Sequence, residues 1–186
     1  MRIISGHFKG RKLIQSNSPI TRPLKDLTKE SIFNILEHSN LINLNLKKSK
    51  VLDLFAGVGS FGLECISRGA KSVLFCENFP QTLNILKKNI LNFNCQKKTE
   101  ILNKNIFEIE NLKQLQKIKF DIIFLDPPYK EKKLINLLDQ IISLELLKKN
   151  GIMIIHRHKK EKEIYTSKFK ILKIKSYGVS KIIFGN

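Results

Sequence analysis

The sequence predicts an α/β fold with a mostly parallel sheet covered on both faces, and three features predict it. From Lys50 onward, strand-like and helix-like stretches alternate, as in consecutive βαβ units. Ile122-Ile123-Phe124-Leu125 is a near-continuous apolar run, as expected of a strand buried on both faces. The apolar run ending at Phe55 leads into Gly57-Val58-Gly59-Ser60-Phe61-Gly62, a G-x-G-x-x-G turn followed by a helical pattern.

The elements follow in order. Arg2-Ile3-Ile4-Ser5 and Lys12-Leu13-Ile14-Gln15 flank Gly6-His7-Phe8-Lys9-Gly10-Arg11, the pattern of a small basic β-hairpin. Phe8, set among Lys9, Arg11 and Lys12, fits base stacking and hairpin packing alike. A polar loop with two prolines covers 16–23. Asp26 or Thr28 can cap a helix reaching about residue 38, with Ile32, Phe33, Ile35 and Leu36 on its apolar face. A polar linker, 40–49, leads into the sheet. Strands are expected at 51–55, 72–76, 99–102, 120–125 and 151–156. Helices are expected at 60–68, 80–93, near 107–116 and at 132–147. The stretches 170–176 and 181–184 read as a closing hairpin that adds one antiparallel strand.

Composition narrows the function. At 186 residues and 42% apolar content the chain can bury a single core. No apolar run is long enough to span a membrane. The first seven residues turn polar too soon for a signal peptide, so a cytoplasmic setting is expected. Cys65, Cys76 and Cys95 are odd in number and unrelated in spacing, which fits reduced thiols rather than disulfides or a zinc site. The net charge of +18 points to a polyanionic partner, most simply nucleic acid, although lysine abundance of genomic origin gives the same total. Of five arginines, Arg2, Arg11 and Arg22 lie in the first 22 residues. An arginine retained in a lysine-rich chain suggests a need for its planar fork, and marks the N-terminus as a phosphate-contacting surface.

Four loops after strands gather the candidate chemistry, since open α/β sheets bind ligands at the carboxyl ends of their strands. The first holds Asp53, Phe55, Gly57 and Gly59. Its glycines allow a tight turn and close approach of a ligand, and the following helix start favours an anion. The second holds Glu77, 20 residues after Gly57, the spacing of an acid that binds ribose hydroxyls. The third holds Asn105, with Ile106, where an adenine edge can be read, although a turn asparagine is nearly as natural. The fourth is Asp126-Pro127-Pro128-Tyr129. Two prolines after a buried strand fix the backbone. This corner suits a planar substrate with an exocyclic amine. Asp126 and the Pro127 carbonyl accept the two amine hydrogens, and Tyr129 stacks on the ring.

With these residues in view, the chain resembles the S-adenosylmethionine-dependent amino-methyltransferases. It is most similar to the RsmD family, which methylates N2 of a guanine in 16S ribosomal RNA. The resemblance runs almost end to end. It rests on Arg2-Ile3-Ile4-Ser5-Gly6 with Phe8-Lys9-Gly10-Arg11-Lys12-Leu13, on Arg22-Pro23 with Asp26, Lys29 and Glu30, on Asp53 through Ala70, and on the tetrad at Asp126. It implies a Rossmann-like, class I methyltransferase sheet of seven strands over 26–186, with residues 1–25 as an RNA-recognising extension. It also implies S-adenosylmethionine at Asp53, Gly57, Glu77 and Asn105, and the target base at the tetrad. The implied partner is 16S ribosomal RNA in the small subunit or an assembly intermediate, met by a monomer without metal.

Three departures stand out. Leu27 replaces a usual arginine, Asn78-Phe79 replaces a polar-acidic pair, and His156-Arg157-His158 follows strand five where an acid is common. The alternating histidines read as readily as a solvated strand edge as a catalytic pair. Other readings stay open: a NAD-dependent oxidoreductase on the glycine motif, an amino-methyltransferase acting on adenine or protein glutamine, and an RNA-binding module without turnover.

Overall fold

The computed structural model describes residues 1–15, 24–40, 42, 44–129, 131–162 and 164–186. The expected contact at Arg22 and the loop at 16–23 lie outside these residues.

Seven strands form one sheet: β1 Lys50–Asp53, β2 Ser72–Cys76, β3 Thr99–Leu102, β4 Phe120–Leu125, β5 Leu147–His158, β6 Ile171–Tyr177 and β7 Ser180–Gly185. Their order is β3-β2-β1-β4-β5-β7-β6. The first five are parallel, and β7 runs antiparallel to both β5 and β6. The expected seven strands with one reversed strand are therefore observed. The helices are α1 Asp26–His38, α2 Ser60–Ser67, α3 Pro80–Asn92, α4 Ile109–Lys113 and α5 Leu134–Ser143.

Apolar side chains alternate off the sheet into two cores. Val51, Phe75, Phe124 and Ile154 pack with α1, α2 and α3 on one face. Leu52, Ile123, Leu125 and Met153 pack with α4 and α5 on the other. Within the first core, Phe61 of α2 stacks between Phe124, at 4.0 Å, and Phe33 of α1, at 5.3 Å.

The largest departures from the expected boundaries are at the end of α5 and the start of β5. Helix α5 ends at Ser143 instead of 147, because Glu145 takes a positive φ of 49° that ends helical winding. Strand β5 starts at Leu147 instead of 151, as Phe120 of β4 pairs with Leu147 through an irregular register. The N-terminal arms meet antiparallel at one bridge, Arg2 with Lys12, supported by Ile3 N–H donating to the Arg11 carbonyl at 2.9 Å.

That hairpin is bolted to α2. Glu64, fully buried, accepts from the backbone N–H groups of Ile4 at 2.7 Å and Ser5 at 2.9 Å. The buried Lys29 ammonium lies 3.4 Å from the same carboxylate and donates to the Arg2 carbonyl at 2.6 Å. Burial lowers the Lys29 pKa, and the Glu64 charge opposes that shift. On α3, Asn89 exchanges hydrogen bonds with the Ile14 backbone at 2.9 and 3.0 Å. The hairpin is thus held at several points against the two helices that follow β1 and β2.

Candidate active site

The carboxyl ends of β1, β2, β3 and β4 open into one cavity of about 620 Å³. Its size lies within the range of small-molecule sites. Asp53, Phe55, Gly57, Glu77, Asn105 and the tetrad at 126–129 all line it, so residues 76 positions apart in the chain meet in one space.

The glycine turn is built for proximity. Gly57 has φ +55°, and a Cβ there meets no atom of the described residues within 4 Å, so among them its backbone borders open space. Gly59 has φ +90° and caps α2, with Leu86 Cδ1 2.7 Å from where a Cβ would lie. Its φ and this contact explain its identity, and it stands behind the cavity wall rather than in it. Gly62 serves packing: a Cβ would fall 2.2 Å from the Phe75 ring.

Asp53 is fully buried at the end of β1. Its Oδ2 accepts from the Gly62 N–H at 3.1 Å, while Oδ1 has no hydrogen-bond partner among the described residues. Burial, with Asp126 and Glu77 adding repulsion, pushes its carboxyl up to about 8. Glu77 accepts from Gly57 N–H at 2.9 Å and Phe79 N–H at 2.8 Å. Burial raises its pKa against the pull of those hydrogen bonds. Thr82, on α3, adds a second buried cavity-lining oxygen, Oγ1, without a partner among the described residues. Two orphaned polar atoms, an open glycine backbone and a helix start together fit a polar ligand with an anionic and a cationic end.

Asn105 closes its own turn, accepting from the Phe107 N–H at 3.1 Å and donating to Glu108 at 3.3 Å, while still lining the cavity. Ile106 is buried in the second core and borders a small neighbouring cleft instead. Phe107, which sequence reading missed, tilts against Phe55 at 5.6 Å and lines the same wall. Its signal was only an aromatic two residues past the β3 loop asparagine.

Of the two readings left open for the histidines, the solvated edge does not describe His156. β5 is paired on both sides, with β4 and β7, and His156 and Arg157 are each only 2% exposed. His156 Nδ1 lies 2.8 Å from Asp126 Oδ1, and its Nε2 lies 2.9 Å from Ser180 Oγ. Arg157 donates to the carbonyls of Pro128 at 2.9 Å and Tyr129 at 3.0 Å. The tetrad is therefore fixed from β5 as well as by its prolines.

The basic N-terminal residues divide. Lys9 and Lys12 are exposed. Arg2 is exposed and lies 3.5 Å from Asp26. Arg11 donates to the Asn92 carbonyl at 2.6 Å and its guanidinium lies 4.4 Å from the Phe93 ring. Phe8 packs edge-on against Phe93 at 5.1 Å, so of its two readings the packing one describes the structure. The three cysteines are buried, with pKa values raised mainly by desolvation, Cys95 up to about 11.

The family pattern described as conserved hypothetical protein 95 matches residues 1–186. The Haemophilus influenzae ribosomal RNA small subunit methyltransferase D is 37% identical over 185 residues, covering 96% of this chain and 90% of its own. In fold, the Escherichia coli protein yhhF superposes with a TM-score of 0.82 at 22% identity, over 100% of this chain and 96% of that one. The rRNA methyltransferase AviRa of Streptomyces viridochromogenes gives 0.69 at 13% identity, over 91% and 87%. Both superpositions speak to the fold alone, which is that of a Rossmann-like methyltransferase.

Proposed function

The chain belongs to the conserved hypothetical protein 95 family, the RsmD family of the sequence resemblance, and on that premise we propose that it transfers a methyl group from S-adenosylmethionine to the N2 amine of a guanine in 16S ribosomal RNA. One observation carries the reading: the Asp126 tetrad and the glycine turn of β1 line the same cavity.

When bound, the cofactor supplies a methyl group already activated on a sulfonium. The protein then needs neither a metal nor a nucleophilic side chain. Asp53 Oδ1, the backbone at Gly57 and the start of α2 suit the charged amino-acid end of such a molecule. Glu77 suits its ribose hydroxyls, because each carboxylate oxygen keeps a second lone pair beyond the backbone bond it accepts. Phe55 and Phe107 offer an apolar wall.

At the tetrad, Asp126 and the Pro127 carbonyl accept from the two amine hydrogens. A guanine amine is a poor nucleophile, since its lone pair is delocalised into the ring. Two acceptors in fixed places favour a more localised lone pair and stabilise the positive charge that develops on nitrogen. The nitrogen loses a proton after transfer, and Asp126 is the carboxylate placed to receive it. Holding the two reactants in one cavity supplies much of the remaining acceleration. The base must be unpaired or turned out of its stack to enter.

Methyl transfer to small subunits lacking the modification, with the product nucleoside identified, tests the proposal. N2-methylguanosine is the expected product, and Asp126→Ala is expected to abolish it while S-adenosylhomocysteine still binds. N6-methyladenosine, methylated protein glutamine, or binding of NAD with no methyl transfer would each replace this reading with another.

A further inference from the structure

His156 and Ser180 lie outside the cavity lining, yet they form a continuous array with the acid of the tetrad. Three adjacent strands bring them together. Asp126 follows the last residue of β4, His156 lies on β5 beside it, and Ser180 opens β7 on the far side. Leu125 is in register with Ile155, which sets Asp126 next to His156. Ser180 is in register with His158, two residues along β5.

The chemistry of each atom orders the hydrogens. An ionised carboxylate only accepts, so Nδ1 of His156 must donate to Asp126 Oδ1 across the 2.8 Å contact. Nε2 of a neutral ring then accepts, and the Ser180 hydroxyl donates to it across 2.9 Å. The hydroxyl can turn to accept if the ring gains a proton, so the Nδ1–H bond to Asp126 persists in both ring states. Hydrogen-bond donation stabilises a carboxylate in its ionised, accepting form. The order of groups is that of a hydrolytic triad, but Ser180 is buried, lies on a strand paired on both sides and does not line the cavity.

We propose that His156, held by Ser180, is a positioning residue for Asp126, fixing the carboxylate that accepts the base amine. The ring engages Oδ1 and pins the side chain's rotation at the edge of the cavity that Asp126 lines. Arg157, the next residue, holds the Pro128 and Tyr129 carbonyls. Consecutive residues of β5 thus grip the tetrad by its acid and by its backbone. This inference rests on the proposed methyl transfer for its kinetic arm, though not for its structural one.

The test compares the wild-type chain with His156→Asn, His156→Leu and Ser180→Ala. Nitrogen NMR of the labelled imidazole in the wild type should show a protonated Nδ1 whose signal moves in Asp126→Asn. In methyl transfer, His156→Leu should lower kcat by about 10- to 100-fold, the scale of a misplaced catalytic group. The KM for S-adenosylmethionine should stay within about twofold, since the cofactor side of the cavity is untouched. His156→Asn, whose amide nitrogen sits where Nδ1 was, should recover most of the loss. Ser180→Ala, which keeps the ring but frees its tautomer, should show a smaller fall in kcat and guards against a Leu variant that fails to fold. An unchanged kcat in His156→Leu, an Asn variant no better than Leu, or an unprotonated Nδ1 would overturn the proposal. No methyl transfer by the wild type would instead overturn the functional reading, and the imidazole signals would then decide the positioning of Asp126 alone.

Discussion

At the scale of residues, Asp53, Glu77, Asp126 and Glu131 line one cavity of a strongly basic chain. Asp53 is the extreme case, its carboxyl pushed up to about 8 by burial first and by Asp126 and Glu77 after it. Unfolded, it ionises in the ordinary carboxylate range near 3.9. Between that range and about pH 8 the folded chain holds a proton that the unfolded chain releases. The contribution of Asp53 to stability is therefore full at acid pH and is lost as pH rises through that window. Asp53→Asn cannot ionise, and its carbonyl can still accept from Gly62. Melting temperatures of the variant and wild type should agree near pH 4, and the variant should melt higher at pH 8; parallel profiles would show that Asp53 does not carry the shift. The acid itself was legible in the sequence, standing at a strand end before a glycine turn. The partners of Asp126 were not. For His156 and His158 a solvated edge stayed open beside a catalytic role, because β7, whose pairing buries His156 and Arg157, begins 23 residues after Arg157. Nothing local announces such a neighbour.

At the scale of elements, strands and helices of the sheet were legible because each carries its own period. The near-continuous apolar β4 and the glycine turn into α2 are local signals, and both stand where they were expected. Boundaries that depend on a single backbone state were not legible, as at Glu145, whose positive φ shortens α5. The α2–β2 contact shows what the glycine motif does apart from binding. Gly62 lets α2 lie close against the Phe75 ring, and Ser60 and Phe61, at the start of the same helix, line the cavity. Gly62→Ala must push the helix or the ring aside, since a Cβ would sit 2.2 Å from Phe75. The expected cost is about 1–3 kcal/mol of stability, the range for overpacking a core, with a parallel loss of S-adenosylhomocysteine affinity as the helix start moves. Denaturant unfolding and calorimetry on the same variant check both; an intact affinity would separate the packing glycine from the site. Gly57→Ala, by contrast, meets no atom and strains only its positive φ.

At the scale of the whole molecule, the N-terminal hairpin joins two tasks that the sequence suggested separately. Met1 and Gln15 line the cavity, while Lys9 and Lys12 stand exposed on the same hairpin. The Glu64–Lys29 pair holds that hairpin by its backbone, which explains two residues of the family resemblance that touch no candidate ligand. On the proposed function, the surface that meets RNA and the wall that meets the cofactor are one segment, separable by substitution. Lys9→Gln with Lys12→Gln removes two exposed charges and leaves in place the hydrogen bonds of Ile4, Ser5 and Phe8 that tie the hairpin to α2. RNA affinity should fall, and the slope of log K against log salt should shrink by about 1 per charge that meets a phosphate, with S-adenosylhomocysteine affinity unchanged. Glu64→Ala acts differently. It leaves the Lys29 ammonium buried without its carboxylate, a loss of about 3–5 kcal/mol, and releases Ile4 and Ser5. Both RNA and S-adenosylhomocysteine binding should then weaken together. A salt slope unmoved by the lysine pair would place the RNA surface elsewhere on this chain of net charge +18, whereas a loss of cofactor affinity in the lysine pair would mean that the two tasks of the hairpin are coupled.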